Sequence, residues 1–165
     1  MFTRILVPTD FSTPSDIALE YGRIMARHFG GTLHLLHVVD DAAVEGLLGA
    51  DALVPPAPDA HTFRLQEALE RLAHRVTDDD RASLRAHTEV IFGKPAQAIV
   101  DYAADNGFDL IVMGTHGRAG IAHLLMGSVA ERVVRHATCP VMTIHEGQVK
   151  ADVRALVASR LSAVA

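Results

Sequence analysis

Asp109-Leu110-Ile111-Val112-Met113-Gly114-Thr115-His116-Gly117, continuing through Arg118 to Gly127-Ser128, is the stretch that decides the fold. Its opening run is apolar at every position after Asp109, without the alternation of a strand that has one wet face. It reads as a parallel strand covered on both sides, over about 109–113. Gly114 and Gly117 follow three apart, and nine residues later Gly127-Ser128 opens a helical pattern over about 127–136. A strand, a glycine-bearing loop and a helix start therefore succeed one another. Glycines let the backbone come close to a ligand, and the first turn of a helix offers unpaired N–H groups at the positive end of its dipole. Ser128 adds a hydroxyl.

The same alternation extends in both directions. Residues 4–8 (RILVP) form a first apolar strand, and Thr13 reads as the N-cap of a helix with Pro14 at its first position. Ile17, Tyr21, Ile24 and Met25 recur at helical spacing until Gly30-Gly31. A second strand spans 32–39, a helix about 61–76, a third strand about 86–92, a helix from Pro95 to Asn106-Gly107, and a fifth strand 140–144. Residues 42–60, with Gly46, Gly49, Pro55, Pro56 and Pro58, read as a surface loop. Strands alternating with helices imply βα units and a parallel sheet. Residues 1–146 form this unit, and 147–165 add a tail. Its Val149, Val153, Leu156, Val157, Leu161 and Val164 share one helical face.

The bulk properties narrow the function. At 165 residues, 49% hydrophobic and 21% charged, the chain suits one domain with a sizeable core. A net charge of −5 without a basic stripe argues against nucleic acid. No apolar run reaches the roughly 20 residues of a membrane span, and the amino terminus lacks a signal-peptide pattern, so a cytoplasmic location is expected. Cys139, the single cysteine, excludes an internal disulfide framework and reads as a small buried residue. Ten histidines invite a metal, but His34 and His37 fall on opposite faces of a strand, and His116 and His123 have no partner at a recognisable spacing. No dedicated metal site is expected. The acidic run Asp78-Asp79-Asp80 reads as a solvated helix end.

The usual phosphate loops do not fit. The one Gly-Lys, Gly93-Lys94, is followed by Pro95, which excludes a Walker A loop. The first strand leads into Thr9-Asp10-Phe11-Ser12 with no glycine, against a dinucleotide fingerprint. The spacing G-x2-G-x9-G-S at Gly114, Gly117, Gly127 and Ser128 instead resembles the ATP-binding members of the universal stress protein family. ILVPTDFS (5–12), LLHVVD (35–40), GKP (93–95), DLIVMGTHG (109–117) and CPVMTI (139–144) resemble the family in order and spacing as well.

The resemblance covers about 2–145 and implies a three-layer α/β/α sandwich of the flavodoxin-like, adenine nucleotide alpha hydrolase-like type. Its five-stranded parallel sheet would have the order 3-2-1-4-5. That order reverses between strands one and four, where ligands sit beyond the carboxyl ends. By similarity, Pro8, Thr9 and Asp10 line the adenosine end, with Asp10 near the ribose or a metal, although Asp10 also suits a plain turn cap. The Val38 backbone would meet the adenine edge and Met113 would pack nearby. Gly114, Gly117, Gly127 and Ser128 would hold ribose and phosphates, and Val129 would add a backbone N–H. Arg118, the basic residue of the loop, can screen phosphate charge. ATP is the implied ligand, with Mg²⁺ or Mn²⁺ held mainly by its phosphates and water. A homodimer through the 141–144 strand is implied too. The tail is free to pack on the domain, on a dimer mate or on a protein partner. The functional expectation is a nucleotide-dependent signalling module of the stress response. A slow ATPase or phosphotransferase at the same site, or a scaffold without nucleotide, is the alternative.

Overall fold

Five strands and six helices are seen in the computed structural model, which describes residues 1–40, 59–115, 126–145, 149 and 151–162. In chain order they are β1 (Arg4–Thr9), α1 (Thr13–Phe29), β2 (Thr32–Val39), α2 (Asp59–Ala73), α3 (Asp78–Leu84), β3 (His87–Phe92), α4 (Pro95–Asp105), β4 (Leu110–Gly114), α5 (Ser128–His136), β5 (Val141–Ile144) and α6 (Ala151–Ser162). The sheet order is β3-β2-β1-β4-β5, with every pairing parallel. This is the fold the resemblance implies.

The alternation of side chains along each strand divides the core into two layers. Ile5 and Val7 of β1, with Leu33 and Leu35 of β2, face a cluster built from α1, α2, α3 and α6. Leu6, Leu36, Ile111 and Met113 face the opposite cluster, built from α4 and α5. Both faces of the central strands are dry, which is why they read as unbroken apolar runs. Helix α1 stops at Gly30, whose φ of 64° is left-handed and costs a glycine nothing.

Three expectations shift. Ser12, not Thr13, is the N-cap of α1, and its hydroxyl makes no cap because it donates to Asp10 Oδ1 instead. The single helix expected over 61–76 is two: α2 ends at Ala73, and α3 starts after Thr77. Thr77 and Asp80 form a reciprocal capping box, each side chain accepting the other's backbone N–H at 3.1 and 3.0 Å. Asp80 is consequently no solvated helix end: it is 0% exposed and accepts from Arg23 Nε at 3.0 Å. The expected loop lies almost wholly outside the described residues.

His34 and His37 do lie on opposite faces: His34 meets Phe108, and His37 meets Phe11. Cys139 is half-buried, and burial pushes its thiol up, away from a reactive thiolate. Burial, followed by the nearby charges of His87 and Arg4, pushes the His34 imidazole down from 6.5 to about 4. A depressed base is neutral in the fold while the unfolded chain takes up the proton. Stability is therefore full above pH 6.5 and falls as pH drops from 6.5 towards 4. The loss reaches at most about 3 kcal/mol. Urea midpoints measured across that window should fall less in His34→Phe than in the native chain; equal slopes would contradict the assignment.

Candidate functional site at the strand-order switch

The ends of β1 and β4 and the start of α5 meet where the strand order reverses. Arg4 turns its carbonyl towards β4, accepting the Asp109 N–H at 3.1 Å. Pro8, four residues on, faces the same way with no N–H to give, and the β1–β4 pairing ends at Leu6↔Ile111. Beyond them lie Pro8, Thr9 and Asp10 on one side and Met113 and Gly114 on the other.

Thr115 secures the other wall. Its N–H donates to Ile144 O at 3.0 Å, and its carbonyl accepts the Gly127 N–H at 2.6 Å. One buried residue thus ties the ends of β4 and β5 to the amino end of α5. Sequence reasoning passed over Thr115, because a variable position inside a glycine motif carries no local signal. The first intrahelical bond of α5 runs from Glu131 N–H to Gly127 O at 2.9 Å. The N–H groups of Ser128, Val129 and Ala130 precede it, and Gly127 has no side chain with which to cap them. Ser128 is exposed and Val129 half-buried.

The two glycines differ in what they are for. A Cβ on Gly114 would lie 3.0 Å from the backbone of Pro14, so a side chain there would press on the start of α1, and glycine lets the two approach closely. Packing accounts for that residue with or without a ligand. Gly127 has φ −71° and ψ 155°, an extended conformation any residue adopts. Its backbone does not require glycine.

Asp10 closes a turn. Its Oδ1 accepts from Ser12 N at 3.1 Å and from the Ser12 hydroxyl. Thr9 Oγ1 accepts the Phe11 N–H at 3.0 Å and lies 2.9 Å from Ser15 Oγ, and Thr9 O meets His37 Nδ1 at 2.8 Å. Phe11 sits at φ 65°, a conformation that costs a residue with a Cβ roughly 1–2 kcal/mol. It persists where the surroundings over-determine it. Here the ring is covered by the guanidinium groups of Arg71 and Arg75, 4.0 and 4.8 Å from its centroid, and by His37 at 4.3 Å.

Val38, Met113 and Val129 of the expected set belong to the cluster under α4 and α5, on one face of the sheet, together with Met126. Gly117 and Arg118 lie outside the described residues, as do His116 and His123. Among the described residues, no group of three or more His, Cys, Asp or Glu is placed to hold a metal.

A parallel sheet whose order reverses between β1 and β4, with a helix start against that switch point, defines a doubly wound three-layer α/β domain. The model described as the Universal stress protein family matches residues 1–145. Universal stress protein MJ0531 of Methanocaldococcus jannaschii is 34% identical over 144 residues, 87% of this chain and 82% of that protein. The solved structure of protein MJ0577 has a TM-score of 0.70 at 26% identity, covering 90% of this chain and 99% of that one. The universal stress protein UspA from Lactobacillus plantarum has a TM-score of 0.61 at 29% identity, covering 87% and 97%. The chain belongs to the universal stress protein family.

Proposed function

We propose that the chain binds ATP beyond the carboxyl ends of β1 and β4 and acts as a nucleotide-dependent signalling module of the stress response. The observation that carries this reading is the amino end of α5: three successive N–H donors, a glycine cap with no conformational need to be glycine, and Thr115 fixing both to β4. An anion is the natural occupant of such a place. Adenosine would lie towards Pro8, Thr9, Asp10, Val38 and Met113. The phosphates would lie towards Gly114, Gly127, Ser128 and Val129, with Gly117 and Arg118 joining from the loop. Asp10, whose Oδ1 serves its own turn, would face the ribose. Mg²⁺ or Mn²⁺ would be held chiefly by phosphates and water.

Strand β5 ends the sheet, and Val141–Ile144 offers an edge for a second copy, in keeping with a cytoplasmic homodimer. Helix α6 uses Val153 and Val157 against its own domain, so a protein partner would meet its opposite face. A nucleic acid or membrane partner is not part of the reading; among the described residues no helix is long and apolar enough to cross a membrane.

Equilibrium dialysis against Mg-ATP, with chromatography of the nucleotide after several hours, tests the proposal. One ATP per chain, recovered intact, is expected. Steady conversion to ADP would make the protein an enzyme, and no retention at millimolar ATP would leave a scaffold.

A further inference from the structure

Helix α6 lies beyond the residues the family model matches, yet it completes a buried cluster of charges. Asp80, Glu20 and Arg23 are 0%, 3% and 2% exposed, two carboxylates against one guanidinium. Arg27 reaches Asp80 Oδ1 only at 3.6 Å, from a largely exposed side chain. Arg160 of α6 supplies the missing cation: its Nε lies 3.0 Å from Glu20 Oε1, and its Nη1 lies 3.8 Å from Asp80 Oδ2. Two buried acids and two bases then balance, which matters because an uncompensated buried charge is strongly disfavoured.

The cluster does not end there. Arg23 Nη1 donates to Glu20, its Nε and Nη2 donate to Asp80, and Nη2 also donates to the carbonyl of Arg75. The Arg75 guanidinium in turn spends its donors on four acceptor atoms of three residues. Nε donates to Asp16 Oδ1 at 2.7 Å, Nη1 to Arg71 O at 3.3 Å, and Nη2 to Asp16 Oδ2 and Phe11 O, each at 3.4 Å. The carbonyl of Phe11 belongs to the left-handed residue that follows Asp10. A lysine cannot reproduce that fork.

We infer that Arg75 is a positioning residue for the Asp10–Ser12 turn, and that the C-terminal helix holds Arg75 in place through Arg160, Glu20, Asp80 and Arg23. The turn borders the proposed ATP site, so the consequence for affinity rests on that reading; the consequence for the turn does not. The tail becomes a strut of the domain, and its docking sets how rigid the adenosine end is before nucleotide arrives.

Amide hydrogen exchange on the full chain reads the two parts separately. In Arg75→Lys and Arg160→Gln, the Phe11 and Ser12 amides, bonded to Thr9 Oγ1 and Asp10 Oδ1, should exchange about tenfold faster than in the native chain. The Ile111 amide, bonded to Pro140 O across the sheet, should hold its rate within about twofold. Arg160→Lys, which keeps the charge, should restore most of the protection. Mg-ATP should bind Arg75→Lys about tenfold more weakly than the native chain. Faster exchange everywhere in equal proportion would make these residues merely structural and overturn the inference. Unchanged exchange at Phe11 and Ser12 in Arg160→Gln would overturn the part played by the tail. If the native chain retains no ATP, the proposed function falls, and the exchange rates still decide the relay.

Discussion

Asp80→Ala should lower the free energy of unfolding by about 3–5 kcal/mol. The carboxylate accepts three N–H donors of Arg23 and Thr77 from a fully buried position, and Arg160 stands beside it. Alanine leaves the Arg23 guanidinium in the interior with only Glu20 to balance it, and removes half of the box that starts α3. For a chain of this size the melting midpoint should fall by about 10 °C. Asp80→Asn should cost less, because its side-chain oxygen can still accept the Thr77 N–H. Calorimetry of the two variants beside the native chain measures both. A midpoint within a degree or two of native for Asp80→Ala would mean the cluster is not the anchor it looks to be. Burial pushes the Asp80 carboxyl up, but the bonds from Arg23 and Thr77 outweigh it and hold it below the ordinary 3.8. Its contribution is therefore intact above pH 3.8 and is lost only as pH falls through the lowered value.

The second large effect is the reverse in kind: loss of ligand with no loss of fold. Gly127→Glu places a carboxylate at the N-cap of α5, where φ −71° and ψ 155° accept any side chain. A negative charge there favours the helix by about 0.3–1 kcal/mol, so the apo protein should be as stable as native. The same charge occupies the donors an incoming phosphate would use, and repels it. Affinity for ATP should drop by about two orders of magnitude or more, equivalent to roughly 2.7 kcal/mol. Gly114 is the poorer position for such a test, because its closeness to Pro14 makes any side chain a packing fault.

What was legible in the sequence follows from the range of the interactions involved. The strands were plain because a parallel sheet buried on both sides leaves an unbroken apolar run, as at Leu110–Met113. The tail stripe was visible because Val149, Val153 and Val157 are spaced by one helical turn, and all three pack on the α1 face. The start of α5 was marked locally by Gly127-Ser128. Helix α3 was missed because its box uses Asp80 where Glu or Gln is the familiar partner, inside an acidic run that looks solvated. What buries Asp80 is Arg23, 57 residues away, and no local pattern announces a pair so distant. The same holds for Arg75, which reaches Phe11 over 64 residues, and for Arg160, whose partner Glu20 lies in the first helix. Asp10 was ambiguous in the sequence, and the fold assigns one of its oxygens to the turn.

The central claim is that phosphates rest on the amino end of α5, and thermal melting in the presence and absence of excess Mg-ATP tests it most directly. Native protein and Gly127→Glu, each freed of any co-purified nucleotide, would be compared. Ligand at about 100 times its dissociation constant adds roughly 2.7 kcal/mol. That should raise the native midpoint by about 5–10 °C. The account predicts this rise in the native chain and at most about 1–2 °C in the variant, with equal midpoints when nucleotide is absent. A rise of the same size in both would place the nucleotide elsewhere, and no rise in either would leave the fold without its ligand.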